Sequence, residues 1–276
     1  TLPPHLPRVV FNRLPEAPGI YYFRNGKGEV LYVGKAINLK KRVLGHFYDS
    51  SEKERQLCRD TADIDFEKSG SDLLALLMEA AAIKKHFPPY NRAQKKIRPT
   101  YGLFSFMDRD GIMHLGVNRL RKGQRASRIF YNQTEARLFL EKLCTDHRLC
   151  ARYCHLQEGV SQCSHFRVPR CGGVCRGAET PQAYNLKVQE ALDYLKRETG
   201  NLLISEKGRD PGETAVIRIE NGVYKGYGFV PNDQSLGTYE DLEAYITPQP
   251  AYPETDRILQ SYLLKYPDRV RKLKLN

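Results

Sequence analysis

The sequence predicts an α/β chain of the α+β kind. A domain with a small mixed sheet and flanking helices comes first, then a cysteine-rich metal-binding segment, then a small α+β C-terminal region. Three observations carry this. Runs of β-favouring residues come in pairs around Asn25-Gly26, Asp110-Gly111 and Asn221-Gly222, steps that suit hairpin turns. Apolar residues recur at helical spacing between and after them, above all in Ser71–Phe87. Six of the seven cysteines fall between Cys144 and Cys175, a local site and not a framework stapling the whole chain.

Taken in order, residues 1–15 hold Pro3, Pro4, Pro7 and Pro15 and are expected to be a leading linker. Residues 16–98 make the first domain. Gly19–Phe23 and Val30–Gly34 form its hairpin, and Asn38 caps a helix with Leu39, Val43 and Phe47 on one side. The second helix, Ser71–Phe87, carries a stripe of Leu73, Leu76, Leu77, Ala80, Ile83 and Phe87, and Pro88-Pro89 ends it. Residues 99–143 are a connector made of a hairpin over Tyr101–Val117 and a helix over Thr134–Leu143. The cysteine segment, 144–200, includes a helix over Thr180–Arg197. In 201–276, Ala215–Ile219 and Val223–Val230 read as a third hairpin, with helices over Thr238–Ile246 and Asp256–Leu264.

Composition narrows the function. With 41% hydrophobic and 28% charged residues the chain reads as globular, and no run of 18 apolar residues encodes a membrane span. The first residue is Thr1 and no basic-then-apolar signal region opens the chain, so it is expected to be part of a longer protein. Lys and Arg outnumber Asp and Glu by 44 to 32, a net charge of +12. The excess is clustered. Lys84, Lys85, Arg92, Lys95, Lys96 and Arg98 form one acid-free run, and Arg119, Arg121, Lys122, Arg125 and Arg128 another. Such patches suit a polyanion such as DNA, though solvated loops carry similar runs.

Phosphodiester hydrolysis needs a water that loses its proton, neutralised phosphoryl oxygens and a stabilised leaving group. A single Mg²⁺ on one carboxylate supplies much of this. Tyr21 and Tyr32 lie on paired strands and can share a face. Gly34-Lys35 follows, with Gly34 expected to let the backbone approach phosphate. Arg42 and His46 are four apart and share a helix face. Glu79 lies about 60° from Leu76 around its helix, at the edge of the buried stripe. Each of these residues alone has an ordinary structural explanation; their arrival together is what points to a site.

Gly19-Ile20-Tyr21, Tyr32-Val33-Gly34, Lys35, Arg42, Glu79 and Asn91 resemble, in order and spacing, the GIY-YIG nucleases. Within that family the segment LYVGKAINLKKRVLGHF is most similar to the UvrC N-terminal and Cho-like excision-repair nucleases, over about residues 12–95. The resemblance implies one-metal hydrolysis. Glu79 would hold Mg²⁺ or Mn²⁺, and Tyr32 would act as general base or relay, its high phenol pKa lowered by Lys35, Arg42 and the metal. Arg42 would also stabilise the phosphate, Tyr21 would orient Tyr32 or the water, and Asn91 would tie the terminal loop to the site. One departure is His46, where UvrC-type domains carry tyrosine; base, phosphate ligand and structural donor all stay open for it.

Cys163-x7-Cys171-x3-Cys175, preceded by Cys150, resembles the cysteine segment that follows the nuclease domain in the same relatives, including its VPRCGGVC ending. Four thiolates suit a [4Fe-4S] cluster or tetrahedral Zn²⁺, and the resemblance implies the iron–sulfur cluster. Cys154 is the alternative fourth ligand; Cys58 and Cys144 are expected to be incidental thiols. DNA contacts are expected from Lys84, Arg92, Lys95, Lys96, Arg98, Arg121, Lys122 and Arg125. The resemblance further implies a bacterial cytoplasmic enzyme making the 3′ incision of nucleotide excision repair, in the SOS response to DNA damage, with UvrA- and UvrB-type proteins as partners. Two other readings stand beside it. Leu14–Gln94 also resembles nuclease halves fused to DNA polymerase III epsilon-type proofreading exonucleases, acting on branched or frayed DNA. A non-catalytic DNA-binding scaffold is the third. The sequence leaves the oligomeric state and the work of residues 201–276 open.

Overall fold

The structure, a computed structural model, describes residues 3–91, 100–121, 124–164, 171–198, 200–234 and 239–272. The chain divides into two compact units, residues 1–96 with 201–276, and residues 97–200. The expected hairpins and main helices are present, and the differences from expectation lie in what packs on them and in the smaller elements between them.

A short helix α1, Arg8–Asn12, opens the first unit. Leu6, Val10, Phe11 and Leu14 are buried with Phe23, Leu39 and Leu57, so this stretch is part of the core and not a linker. Its prolines had hidden an apolar face. Strands β1, Gly19–Arg24, and β2, Val30–Ala36, pair antiparallel. Their turn is longer than an Asn25-Gly26 step: the Asn25 side chain accepts from the N–H groups of Lys27 and Glu29 at 2.9 and 3.0 Å, and Gly28 takes the left-handed backbone, φ 80°. Helix α2, Leu39–Tyr48, follows, capped by Asn38 as expected. Helix α3, Glu52–Asp60, and strand β3, Asp63–Lys68, come next. The sheet order is β2-β1-β3 with both pairings antiparallel, where a mixed sheet was expected.

Helix α4, Asp72–His86, starts at Ser71, whose hydroxyl accepts from the Leu74 N–H, and ends at Phe87 in the left-handed region. The expected single stripe is incomplete. Leu74, Ala75, Met78 and Ala82 are buried as well, while Phe87 is exposed. The helix is wrapped on more than one side because the C-terminal residues return to it.

In the second unit β4, Tyr101–Met107, and β5, Met113–Arg119, form the expected hairpin, and β6, Arg128–Phe130, pairs with β4. Helices α5, Gln133–Asp146, and α6, Pro181–Glu198, pack Leu140, Leu143, Tyr184, Val188 and Ala191 into one core with the buried cysteines.

The tail adds a five-stranded antiparallel sheet of order β10-β9-β8-β7-β11. Its strands are β7 (Leu202–Lys207), β8 (Glu213–Glu220), β9 (Val223–Pro231), β10 (Ile246–Pro248) and β11 (Val270–Lys272). Asn221 and Gly222, both at positive φ, make the predicted β8–β9 turn. Helix α7 covers only Tyr239–Glu243, and α8 runs Pro253–Lys265. Alternation along the sheet turns Leu202, Ile204, Ala215, Ile217 and Ile219 toward α4 and α8, in one core with Ile20, Tyr22 and Val33. The tail, read from sequence as a region by itself, shares a core with the first domain.

Candidate active site

Register brings the two tyrosines together. Tyr21 lies opposite Gly34 and Phe23 opposite Tyr32, so all four share one face of the β1–β2 ribbon. The Tyr21 and Tyr32 ring centroids are 6.1 Å apart, and Tyr21 is fully buried. A side chain at position 34 would fall inside the Tyr21 phenol. Gly34 therefore makes room for Tyr21, a packing reason for the glycine beside the expected backbone approach to phosphate.

Helix α2 closes over this face. Its Asn38 cap fixes the helix start, which sets Arg42 and His46 one turn apart above the tyrosines. His46 is buried with Nε2 2.6 Å from Tyr21 Oη and Nδ1 2.6 Å from Glu54 Oε2. An ionised Glu54 only accepts, so Nδ1 carries the proton and Nε2 accepts from the Tyr21 hydroxyl. Burial lowers the His46 pKa, against the pull of Glu54, which keeps the ring neutral. The ring also meets Phe23 and Tyr32 at 5.1 and 5.5 Å. His46 thus sits as a buried hydrogen-bonding link. Glu54 is a site residue that sequence reading missed, together with the helix that carries it. Ser51-Glu52-Lys53-Glu54 was the available signal: it has the spacing of a helix-start capping box, and the Ser51 hydroxyl does accept from the Glu54 N–H.

Strand β2 is an edge strand, and its outward-pointing groups have partners. Asn91, buried, accepts from the Val33 N–H at 2.9 Å and donates to the Val33 carbonyl at 2.8 Å. Two residues along, the Lys35 N–H donates to the Glu79 carboxylate. Asn91 and Glu79 therefore cover the edge beside Tyr32. Burial raises the Glu79 carboxyl to about 7, against the lowering effect of Lys35 and Arg42. Lys35 itself places Nζ 2.7 Å from Asp72 Oδ1. Burial also raises the Tyr32 phenol, aided by the Glu79 charge and opposed by Arg42, so the cations of the chain do not by themselves make Tyr32 acidic. Tyr21 is raised too, chiefly by burial. Arg42 is exposed, within reach of the Tyr21 hydroxyl.

This donor set fits a divalent ion. Glu79 is a half-buried carboxylate whose charge burial disfavours, and among the described residues it has no ion-pair partner; one such oxygen donor is enough for Mg²⁺, which keeps most of its waters.

Among the cysteines, Cys150, Cys163 and Cys175 converge, their sulfurs all within 4.8 Å of one another. The Cys150–Cys163 and Cys163–Cys175 separations are 3.9 and 3.5 Å. Zn–S bonds of about 2.3 Å make a tetrahedral edge of about 3.8 Å. The spacing fits one tetrahedral ion; a four-iron cluster spreads its cysteines around a larger body. Cys171 packs against the same core but lies outside the three-sulfur group. Cys154, the alternative ligand, hydrogen-bonds with Cys144 instead. Burial raises the Cys163 thiol to about 11, while for Cys175 the Cys163 N–H and neighbouring thiols outweigh burial and lower it.

Of the expected DNA contacts, Arg92, Lys95, Lys96, Arg98 and Lys122 lie outside the described residues. Arg121 and Arg125 are exposed. Lys84 is engaged within the chain, 3.3 Å from Glu254 and over the Tyr252 ring. Among the described residues no helix is long and apolar enough to cross a membrane.

Comparison with known proteins gives two family matches, the UvrC-like GIY-YIG domain over residues 17–92 and the UvrC/Cho excinuclease middle domain over residues 107–194. UvrABC system protein C of Methanococcoides burtonii is 30% identical over 203 residues, 71% of this chain and 33% of that protein. Excinuclease cho of Salmonella typhi is 30% identical over 198 residues, 70% of this chain and 66% of that one. A crystal structure of the GIY-YIG N-terminal endonuclease domain of UvrC from Thermotoga maritima, bound to magnesium, is 32% identical. It covers 30% of this chain and 93% of its own, with a TM-score of 0.29. The chain spans about a third of the UvrABC system protein C relatives and just under two thirds of excinuclease cho. With both domains matched in order, the chain belongs to the UvrC/Cho family of GIY-YIG proteins.

Proposed function

We propose that the chain is a metal-dependent DNA endonuclease that makes a single phosphodiester cut, the 3′ incision of nucleotide excision repair. The observation that carries this reading is the convergence of Tyr21, Tyr32, Arg42 and His46 on one face of β1–β2, with Glu79 at the adjoining strand edge. A divalent ion held by Glu79 would supply charge neutralisation on the phosphoryl oxygens and a more acidic water. The chain's own groups do the rest. Tyr32 takes or relays the water proton, and the exposed Arg42 guanidinium reaches the phosphate. Glu54 and His46 hold the Tyr21 hydroxyl, and Tyr21 holds Tyr32. Asn91 fixes the backbone of Val33, next to Tyr32.

The test is a pair of substitutions on labelled DNA in Mg²⁺ or Mn²⁺. Glu79→Ala removes the carboxylate and Tyr32→Phe the proton-transfer group; neither removes a cation. Both are expected to abolish cleavage and leave DNA affinity nearly unchanged. Wild-type cutting by both would overturn the site, and equal loss of binding and cutting would point to misfolding.

The cysteine group is read as a resident metal centre of Cys150, Cys163 and Cys175, with Cys171 as the fourth thiolate. Anaerobic metal analysis decides its content. Brown protein with four irons supports the cluster implied by the family, and colourless protein with one tightly held zinc supports the ion that the sulfur spacing fits. Protein with neither, stable to chelators, overturns the centre. DNA as substrate, a bacterial cytoplasmic location and loading by UvrA- and UvrB-type proteins belong to the same proposal.

A further inference from the structure

A second group of metal-ligating side chains lies in the unit of residues 97–200, apart from the cysteines and from the GIY-YIG site. It joins β5 to the turn after Cys154. His114 Nδ1 and His155 Nε2 face each other at 3.0 Å. Behind His114, Nε2 is 2.9 Å from Asp108 Oδ2; behind His155, Nδ1 is 3.9 Å from Glu158 Oε1. His114 therefore turns one nitrogen to the other ring and hydrogen-bonds its far nitrogen to a carboxylate, while the far nitrogen of His155 has the exposed Glu158 nearby, beyond hydrogen-bond reach. Asp108 also accepts from the N–H groups of Asp110 and Ile112 at 3.0 and 2.8 Å, which fixes its position at the hairpin loop. Phe106 stacks on His114 at 4.6 Å between ring centroids, and the Tyr153 ring meets His114 edge-on at 5.0 Å. The rings are thus held in orientation by aromatic neighbours as well as by hydrogen bonds.

At His114 this is the outer-shell pattern of a metal-bound histidine, with His155 as the second nitrogen donor. A carboxylate on the far nitrogen fixes the tautomer, leaves the near nitrogen unprotonated and raises its basicity. Two metal–nitrogen bonds of about 2.0–2.1 Å at a tetrahedral angle put the nitrogens about 3.3 Å apart, a few tenths of an ångström beyond the separation seen. Two imidazoles with carboxylates close by favour a divalent cation, and nitrogen donors favour a transition ion over Mg²⁺. The His155 side chain is 38% exposed and that of His114 14%, so the site opens to solvent on the His155 side.

We propose that His114 and His155 bind a first-row transition ion of the Zn²⁺ class, with Asp108 as the outer-shell carboxylate of His114 and water in the remaining positions. The ion would staple the β4–β5 hairpin to the segment that carries Cys150 and Cys154. It is independent of the nuclease reading and of the metal held by the cysteines.

The experiment uses the full chain, with the cysteine centre loaded as purified, and titrates Co²⁺ and Zn²⁺ alone. One equivalent is expected with a visible cobalt d–d spectrum and no added sulfur-to-cobalt charge-transfer band. His155→Gln is expected to lose that equivalent, and Asp108→Asn to weaken it about 10- to 100-fold, with circular dichroism unchanged. A readout that needs no variant accompanies this: in the wild-type chain the His114 and His155 ring resonances are expected to broaden on Co²⁺ addition. Unaffected rings, or the same bound equivalent in His155→Gln, would reduce the four groups to a hydrogen-bonded chain and overturn the site.

Discussion

Tyr21 shows how closely one residue is specified. Its ring lies where a side chain at position 34 would be, its hydroxyl donates to His46, and His46 is held by Glu54. Gly34→Ala adds one methyl group to that packed site. Overfilling of this kind costs about 1–3 kcal/mol. The variant is expected to unfold at lower denaturant and to cut DNA more slowly, because the displaced phenol no longer meets His46 and Tyr32. A denaturation midpoint and a single-turnover rate check it; wild-type values in both would show that the ring has room to move. The glycine was legible in the sequence and its reason was not. Pairing across an antiparallel ribbon decides what a missing Cβ admits, and register is not visible before the strands are paired. Glu54 was hidden differently. Its helix is built from charged residues with only Leu57 and Cys58 buried, so it presents no apolar period to read.

At the scale of elements, the legible parts were those whose apolar pattern or turn residues act locally. The β1–β2, β4–β5 and β8–β9 hairpins and helices α2, α4, α5 and α6 belong here. Strand β3, Asp-Ile-Asp-Phe-Glu-Lys, alternates charge with apolar residues at the sheet edge and was passed over, and β11 is three residues that pair only through the tertiary fold. Helix α4 misled in its burial, because a second sheet from the end of the chain covers what a lone domain would leave to water. Helix α8, packed in that same core, carries a pH signature. Burial raises the Asp256 carboxyl to about 6, above an unfolded value of about 3.9. The native state therefore holds a proton that the unfolded state has lost between those two values, and stability falls as pH rises through the window. Asp256→Asn is expected to remove this slope and to stabilise the chain above pH 6 by about 1–2 kcal/mol, less than the full shift because the group is only partly buried and begins a helix. Denaturation midpoints at pH 5 and pH 8 test it. Equal midpoint changes at the two pH values would show that Asp256 is solvated in the folded chain.

For the whole molecule the question is what would direct the proposed cut. The net charge of +12 and exposed residues such as Arg121 and Arg125 are the proposed source of phosphate affinity, a kind of contact that positions a protein on DNA without reading its sequence. The family matches end at residue 194, and the tail beyond them is occupied in covering α4. On the proposed reading, loading proteins of the UvrA and UvrB type would supply the selectivity for damage. The chain alone is expected to cut intact duplex barely at all. Adding UvrA, UvrB and ATP is expected to yield one defined nick 3′ to the lesion on an end-labelled damaged duplex, leaving 5′-phosphate and 3′-hydroxyl ends. Preference for frayed or branched ends with no response to the loading proteins would favour the proofreading-fusion reading. Strong lesion-blind cutting by the chain alone would remove the repair assignment and leave the nuclease, because the Glu79 and Tyr32 substitutions test the chemistry independently of where it is aimed.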